Sequence, residues 1–307
     1  MQKAFSRLAE LLRRCVVLGL LLAGAFSVGQ PVAEAVANDR ATQQAATTYA
    51  ESVRSLPAEQ LSAELAAARA YNAALSPRAL TDPWGATVGA DTAHRTYLDT
   101  LPGPAMGRLR IPAIAVDMPI RHDADEASLA AGVGHMYGSS LPVGGPDTHA
   151  VLAAHSGMRS QTFFDRLPEL QPGQRFTIEV AGTTLTYQVD QIRVVEPTEL
   201  EAVGRVPGQD LVTLVTCYTP PGGHRERMLV RGIRVTDPAP VDTETVQATA
   251  TAQTAASMLG LPPVQDWMRP RLWISGGALA VAALMLFGWL ITDIRRAHRL
   301  RNKENSR

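Results

Sequence analysis

Three textures of apolar and polar residues follow one another along the chain. Lys3, Arg7, Arg13 and Arg14 precede a nearly unbroken apolar and small-residue run from Cys15 to Val28, which has the form of the charged and hydrophobic regions of an export signal. At about 14 residues the run is short against the about 20 that a helix needs to cross roughly 30 Å of hydrocarbon. Ala35-Val36-Ala37 also offers a small-x-small cleavage site. A cleaved signal peptide and an uncleaved signal anchor over 1–37 therefore both stand. Between 38 and 103 the pattern is helical: Ala58 to Leu75 places Leu61, Leu65, Ala68, Tyr71 and Leu75 at steps of three and four, which predicts one or two amphipathic helices closed by Pro77. Thr81-Asp82-Pro83-Trp84-Gly85 then reads as a turn or loop, and a tryptophan in so polar a loop is expected to be packed against something.

From Gly107 the period shortens. Arg108 to Ile114, Val116 to Arg121, Thr148 to Ala154, Arg175 to Val180, Thr184 to Val195, Leu211 to Thr216 and Met228 to Val235 are short runs rich in Val, Ile, Leu, Thr or Tyr. Turn signals such as Gln171-Pro172-Gly173 and Ala181-Gly182 separate them, and Pro112 and Pro119 act as breaks suited to sheet edges. Roughly eight short strands over 104–237 with few long helices between them predict a mainly β domain, a closed barrel or a sandwich rather than a doubly wound sheet. Asp237 to Ala256 is rich in Pro, Thr and Ala without apolar periodicity, so 238–271 is expected to be a flexible linker. Leu272 to Ile291 carries no charge and has Trp273 and Trp289 near its ends, the length and interfacial aromatics of a transmembrane helix over 272–292. Arg295, Arg296, Arg299, Arg301 and Lys303 follow in a basic tail, 293–307, that the positive-inside rule puts in the cytoplasm.

Composition narrows this further. The chain has 307 residues, 46% of them hydrophobic and 19% charged, enough for one mid-sized globular domain plus extra segments and unlike a disordered tail. Its formal net charge is zero, so no overall field favours nucleic acid. With both basic ends inside, the segment between them lies outside the cell membrane, where disulfides are usual. Cys15 belongs to the signal or anchor, which leaves Cys217 as the one thiol of the exported domain. Such a cysteine is either a reactive thiol, an intermolecular link or a buried core residue. There is no solenoid repeat, Gly-rich phosphate loop or zinc-type Cys/His spacing, and no cofactor or metal is expected.

Three residues stand where a strand meets a loop: Cys217 after LVTLVT, His155 after VLAA, and Arg227 opening RMLVRGIRV. Rims of a β-barrel let such side chains converge while staying accessible. Acyl transfer needs these three kinds of group: a thiolate to attack, a proton donor for the departing amine, and donors or positive charge where the carbonyl oxygen gains charge. Alternation places Arg227, Leu229 and Arg231 on one face, so Arg231 and Arg225 compete with Arg227. His224, seven residues from Cys217, and His149, on the strand of His155, compete as the acid/base.

Thr213-Leu214-Val215-Thr216-Cys217 matches the TLxTC signature of the sortases at every fixed position, Arg227-Met228-Leu229-Val230-Arg231-Gly232 resembles their arginine strand, and Thr148 to His155 followed by Ser156-Gly157 resembles their histidine strand. The resemblance runs from about Gly107 to Val235. Gly134-His135-Met136-Tyr137-Gly138-Ser139-Ser140-Leu141-Pro142-Val143-Gly144-Gly145, the Asp82-Pro83-Trp84 loop and the C-terminal membrane helix are similar to class C, the pilin-polymerising sortases, in which an aspartate-proline-aromatic lid covers the cleft. It implies a closed eight-stranded barrel with N-terminal helices, a lid loop and a C-terminal transmembrane helix. Cys217 would attack the Thr-Gly bond of an LPxTG-like sorting signal, His155 would protonate the leaving amine, and a lysine of a second pilin would resolve the thioester. Arg227 would hold substrate backbone or oxyanion, with Asp82 near Arg227 and Trp84 over Cys217 or His155. Two departures from the commoner pattern are Tyr218 after the cysteine, where Thr is usual, and the Gly-rich, charged PPGGHRE before the arginine. The partners implied are pilin subunits and the lipid bilayer. A housekeeping sortase acting on cell-wall precursor, and a membrane-tethered assembly domain with a structural Cys217, are the alternatives. On the last of these, Trp84 is a hydrophobic plug and Asp82 a turn-forming residue.

Overall fold

The computed structural model describes residues 2–76, 80, 82–84, 93–99, 101, 103–220, 222–236 and 268–304. Pro77, Thr81 and Gly85, and all but the last four residues of the expected linker 238–271, lie outside them. The chain divides into two compact units, 1–35 with 264–307, and 36–263.

The first unit holds the N-terminal part of α1 (Gln2–Arg54) and the whole of α4 (Met268–Glu304). Both helices are long and apolar enough to cross a membrane, and little of either apolar window is buried in protein. Leu20, Phe26, Trp273, Leu284 and Phe287 are all exposed; helices apolar all round and uncovered by protein suit lipid. The N-terminal run, short by its own count of apolar residues, thus belongs to a much longer continuous helix.

In the second unit, α1 ends at Arg54 and α2 (Ala58–Ala74) follows. Eight strands come next: β1 (Gly107–Ile111), β2 (Val116–Arg121), β3 (Val133–His135), β4 (Thr148–Ala153), β5 (Arg175–Val180), β6 (Thr183–Val195), β7 (Asp210–Tyr218) and β8 (Glu226–Val235). They close into one barrel in the order β1-β2-β3-β4-β7-β8-β6-β5. The β2–β3 and β4–β7 pairs are parallel and the others antiparallel. The barrel is the form realised, and its closure removes the edges on which prolines were expected. Pro119 nevertheless sits inside β2, paired with Arg108 of β1, because β3 joins the other side of β2 only from Ile120 onward; a residue without an N–H is tolerated where no ladder partner asks for one.

Leu109, Ile111, Ile120, Leu152, Phe176, Ile178, Tyr187, Leu214 and Val230 point inward and form the main core, which Tyr49 and Val53 of α1 and Leu65 and Ala68 of α2 extend. The Phe176 ring stacks on Tyr187 and lies 2.6 Å from where a Cβ would stand on Gly232, so β8 needs glycine there. Polar side chains of both helices, Tyr49 and Asn72 among them, fix the helices to the barrel. The Tyr49 hydroxyl donates to Met106 O at 2.9 Å; the Asn72 amide donates to Leu141 O at 3.0 Å and accepts from Leu141 N at 2.8 Å. The glycine-rich stretch after β3 is thus a docking seat for α2. Val133–His135 and the short helix α3 (Glu126–Ala131) were not among the expected elements.

Candidate active site

Strands β4, β7 and β8 lie side by side, and alternation gives them a second, outward face. Val151 and Ala153, Val215, and Leu229 on that face form a separate apolar cluster with Val195, Leu200 and Met136. Cys217 and Arg227 continue the same alternation to the rim, where they are directly opposite each other across the β7–β8 ladder. Arg227 is buried and Cys217 half-buried, its thiol free.

His155 comes two residues beyond β4, whose parallel register with β7 runs Ala153 to Val215. The pairing extends past the strand end: Ala154 N donates to Val215 O at 3.1 Å and the Thr216 hydroxyl donates to Ala154 O at 2.8 Å. The Ser156 hydroxyl then donates to the carbonyl of Cys217. Bonds on both sides of His155 therefore tie its segment to Val215, Thr216 and Cys217 of β7, and the three rim residues gather from distant sequence.

The loop residues Asp82, Pro83 and Trp84 lie over this rim. Arg227 donates from Nε to Asp82 Oδ1 at 2.8 Å and from Nη2 to Asp82 Oδ2 at 2.6 Å, a two-pronged fork that spends the donors best placed to bind another planar oxygen group. The guanidinium carbon stands 4.9 Å from the Trp84 ring centre. The indole N–H donates to His155 Nδ1 at 3.2 Å, so Nδ1 is an acceptor and the ring proton of neutral His155 is on Nε2. Leu80 is buried in the outward apolar cluster, against which Trp84 also packs. The expectation that Trp84 packs against something, with Asp82 near Arg227, describes what is found. Leu80 was missed; an apolar residue just ahead of a polar turn was its one signal.

Under this cover the charges are muted. Burial holds the His155 imidazolium below its ordinary range, only partly offset by the Glu126 carboxylate. Burial pushes the Cys217 thiol up, against the pull of Arg227 and Arg225 and with the help of Asp82. Both shifts favour a neutral thiol and a neutral imidazole over the thiolate–imidazolium pair. Burial is the largest influence on Arg227 and works against its charge, but the bonds to Asp82 and the charge interactions with Cys217 and Asp82 together outweigh it, and its pKa is raised.

The competitors lie elsewhere. Arg231 has the parity of Arg227, but Thr213 is its partner four positions down the ladder, about 13 Å away. It forms an ion pair with Asp190, the residue bulged out of the β6–β8 register. Arg225 is exposed. His224 is exposed and paired with Glu196 at 2.6 Å. His149 is buried, with Nδ1 2.7 Å from Gly204 O in the loop after β6 and Nε2 2.7 Å from the Thr213 hydroxyl of β7, so both ring nitrogens are spent on structural contacts. A thiol, an imidazole and a guanidinium on one rim can together carry out nucleophilic acyl transfer: attack, proton donation and stabilisation of oxyanion charge.

The family model for the sortase domain matches residues 109–235. The crystal structure of sortase C-1 from Actinomyces oris is 44% identical, with a TM-score of 0.55, covering 58% of this chain and 99% of that one. Sortase C of Streptococcus pneumoniae, described for its catalysis and pilin substrate specificity, is 35% identical with a TM-score of 0.58, covering 64% and 99%. Sortase A of Streptococcus agalactiae is 27% identical over 125 residues, 40% of this chain; the match spans half of that curated relative, 50% of its length. The chain belongs to the sortase family of cysteine transpeptidases, and the solved relatives it resembles are class C sortases.

Proposed function

We propose that this protein is a pilin-polymerising transpeptidase, held in the cell membrane by its apolar helices with the barrel on the extracellular face. Cys217 Sγ attacks the threonine carbonyl of an LPxTG-like sorting signal on one pilin. The Thr–Gly bond breaks, the glycine amine leaves with a proton from His155, and an acyl thioester remains on the enzyme. A lysine amine of a second pilin attacks that carbonyl, an isopeptide bond forms and the thiol is released. Arg227 donates to the substrate backbone or the oxyanion, where one well-placed donor is worth about 100-fold in rate. The observation that carries this reading is the cover on the site: Asp82 takes both prongs of Arg227 and Trp84 takes His155, so substrate must displace Asp82-Pro83-Trp84 before the three groups can act. The S. pneumoniae relative, whose description names pilin substrates, supports pilin as the substrate class.

The test uses the full chain in lipid nanodiscs with a fluorogenic LPxTG peptide and a pilin-derived peptide bearing the acceptor lysine. Mass spectrometry should find a thioester on Cys217 and the isopeptide product, both lost in Cys217→Ala. Product with a peptidoglycan-type amine and none with lysine would replace pilus assembly by cell-wall anchoring. Neither species, in wild type or in Trp84→Ala, would overturn the acyl-transfer role.

A further inference from the structure

The N-terminal apolar run admits two fates, removal as a signal peptide or retention in the membrane, and the contacts within the first unit separate them. The shielded positions of α1 are not scattered. Arg14, Leu18, Leu21, Ala25 and Gly29 are half-buried or buried, while residues between them such as Val16, Leu20, Leu22 and Phe26 are exposed. Steps of three and four place the shielded set on one helix face. In α4 the shielded residues Ser275, Ala278, Ala282 and Trp289 follow the same spacing, with Leu279, Leu284 and Phe287 exposed.

Two contacts fix which face meets which. A Cβ on Gly29 would stand 3.2 Å from the Ser275 hydroxyl, a close approach of the kind small residues permit between membrane helices. At the other end, Arg14 Nη1 is 3.1 Å from Asp293 Oδ2, and the Arg14 guanidinium carbon is 5.3 Å from the Trp289 ring centre. From Arg14 to Gly29 the rise is about 22 Å, and from Ser275 to Asp293 about 27 Å. The two separations agree to within about one helical turn of 5.4 Å, as an antiparallel pair requires, and approach the roughly 30 Å of hydrocarbon. Asp293 is moreover the one acidic residue between Met268 and Lys303, in a flank otherwise basic. A carboxylate at the membrane boundary is costly without a partner, and Arg14 is that partner. Glu10 also binds Arg14, at 3.2 Å. Ala35, in the small-x-small site, is fully buried and lies inside an unbroken helix.

We propose that the N-terminal segment is kept in the mature protein as a second membrane span, paired antiparallel with α4 along the seam that runs from Gly29 and Ser275 to a cytoplasmic clasp of Arg14, Asp293 and Trp289. The partner of each seam is thus the other helix of the same chain, and lipid covers the remaining faces.

The full chain is expressed in a Gram-positive host, extracted from its membranes and weighed intact. A mass that includes the residues from Met1 onward is expected; a chain beginning near residue 38 overturns the proposal. Pairing is read from Gly29→Cys with Ser275→Cys in a chain also carrying Cys15→Ser and Cys217→Ser, oxidised in the membrane with copper phenanthroline. The intramolecular crosslink should form at least about fivefold more than with Phe26→Cys and Ser275→Cys, since Phe26 lies on the exposed side. Equal yields, or none with either pair, overturn the seam. Added to the chain carrying Gly29→Cys and Ser275→Cys, Arg14→Asp or Asp293→Arg alone should lower the crosslink yield several-fold and the double exchange should restore it; unchanged yields in the single variants overturn the clasp.

Discussion

Strands β4, β7 and β8 carry two faces that differ by one residue of register. Leu152, Leu214 and Val230 turn inward, into a core shared by the other strands, the docked helices and buried loop residues such as Leu141 and Phe164. Val151, Ala153, Val215 and Leu229 turn outward, where Leu80 and Trp84 of a loop complete the cluster, and Cys217 and Arg227 prolong that face to the rim. Burial on the inner face is permanent. On the outer face part of it comes from a segment held by two apolar side chains, the Asp82–Arg227 ion pair and the Trp84–His155 hydrogen bond, so another extended chain of similar chemistry can take its place. The contrast shows how a small barrel separates the residues that keep it folded from those that act on a ligand without adding an element.

The sharpest way to break that division is to cut one residue from each face. Cys217→Ala should abolish thioester and product altogether while shifting the thermal midpoint by less than about 2 °C, because a half-buried thiol adds little to the core. Leu214→Ala, three residues earlier and pointing inward, should cost about 3 kcal/mol and lower the midpoint by about 6–12 °C. Its product per folded molecule should stay near wild type. Calorimetry and a ligation assay on both variants decide the matter: a large stability loss in Cys217→Ala would mean that the rim belongs to the core.

Arg227→Lys keeps the charge and removes the fork. About 100-fold lower kcat/KM is expected, with Cys217 still able to label, since the thiol itself is untouched. A loss under about threefold would indicate that Arg227 serves only to hold Asp82. The cover is tested next. Asp82→Ala or Trp84→Ala should speed methanethiosulfonate labelling of Cys217 about tenfold, and Leu80→Ala about threefold, as each releases one of the attachments of the loop. Rates equal to wild type in all three would show that the loop does not limit access to the thiol.

Much of this division can be seen in the residues before any coordinates. The TLVTC run, the histidine just past β4 and the arginine near the start of β8 can be located because strand alternation and rim position are local properties of sequence. The covering loop was visible as an Asp-Pro-Trp turn out of keeping with its polar setting. Alternation alone leaves Arg231 open, since it shares the parity of Arg227, and counting back from Leu229-Val230-Arg231-Gly232 together with the resemblance favours Arg227; the bulge at Asp190 that captures Arg231 exists only once β6 and β8 are paired. His149 likewise resembles His155 until the fold closes around it, the loop after β6 taking Nδ1 through Gly204 O and β7 taking Nε2 through the Thr213 hydroxyl. The three-residue β3 escaped notice because it is too short to show a period, and its parallel partner β2 is distant information. The extent of α1 was not legible in the apolar run, which stops at Val28 while the helix continues through Pro31 to Arg54.

The smallest expected effect concerns pH and follows from how the cover shifts two groups in opposite directions. Burial lowers the His155 pKa and raises that of Cys217, whereas with the loop displaced both should return toward their ordinary values of about 6.5 and about 8.5. For His155 the open form binds the proton more tightly, so closure is favoured fully above about pH 6.5 and weakens as pH falls below it. For Cys217 the closed form holds the proton more tightly, so closure weakens as pH rises past about 8.5. The covered state should therefore be most populated between these limits, with protection falling a few-fold on either side. Hydrogen exchange at the Asp82 and Trp84 amides, corrected for intrinsic rates from pH 5.5 to 9.5, should show a maximum of protection near pH 7.5. His155→Gln should remove the acid limb alone and Cys217→Ala the alkaline limb alone. A protection profile unaffected by either change would separate the cover from the titration of the site beneath it.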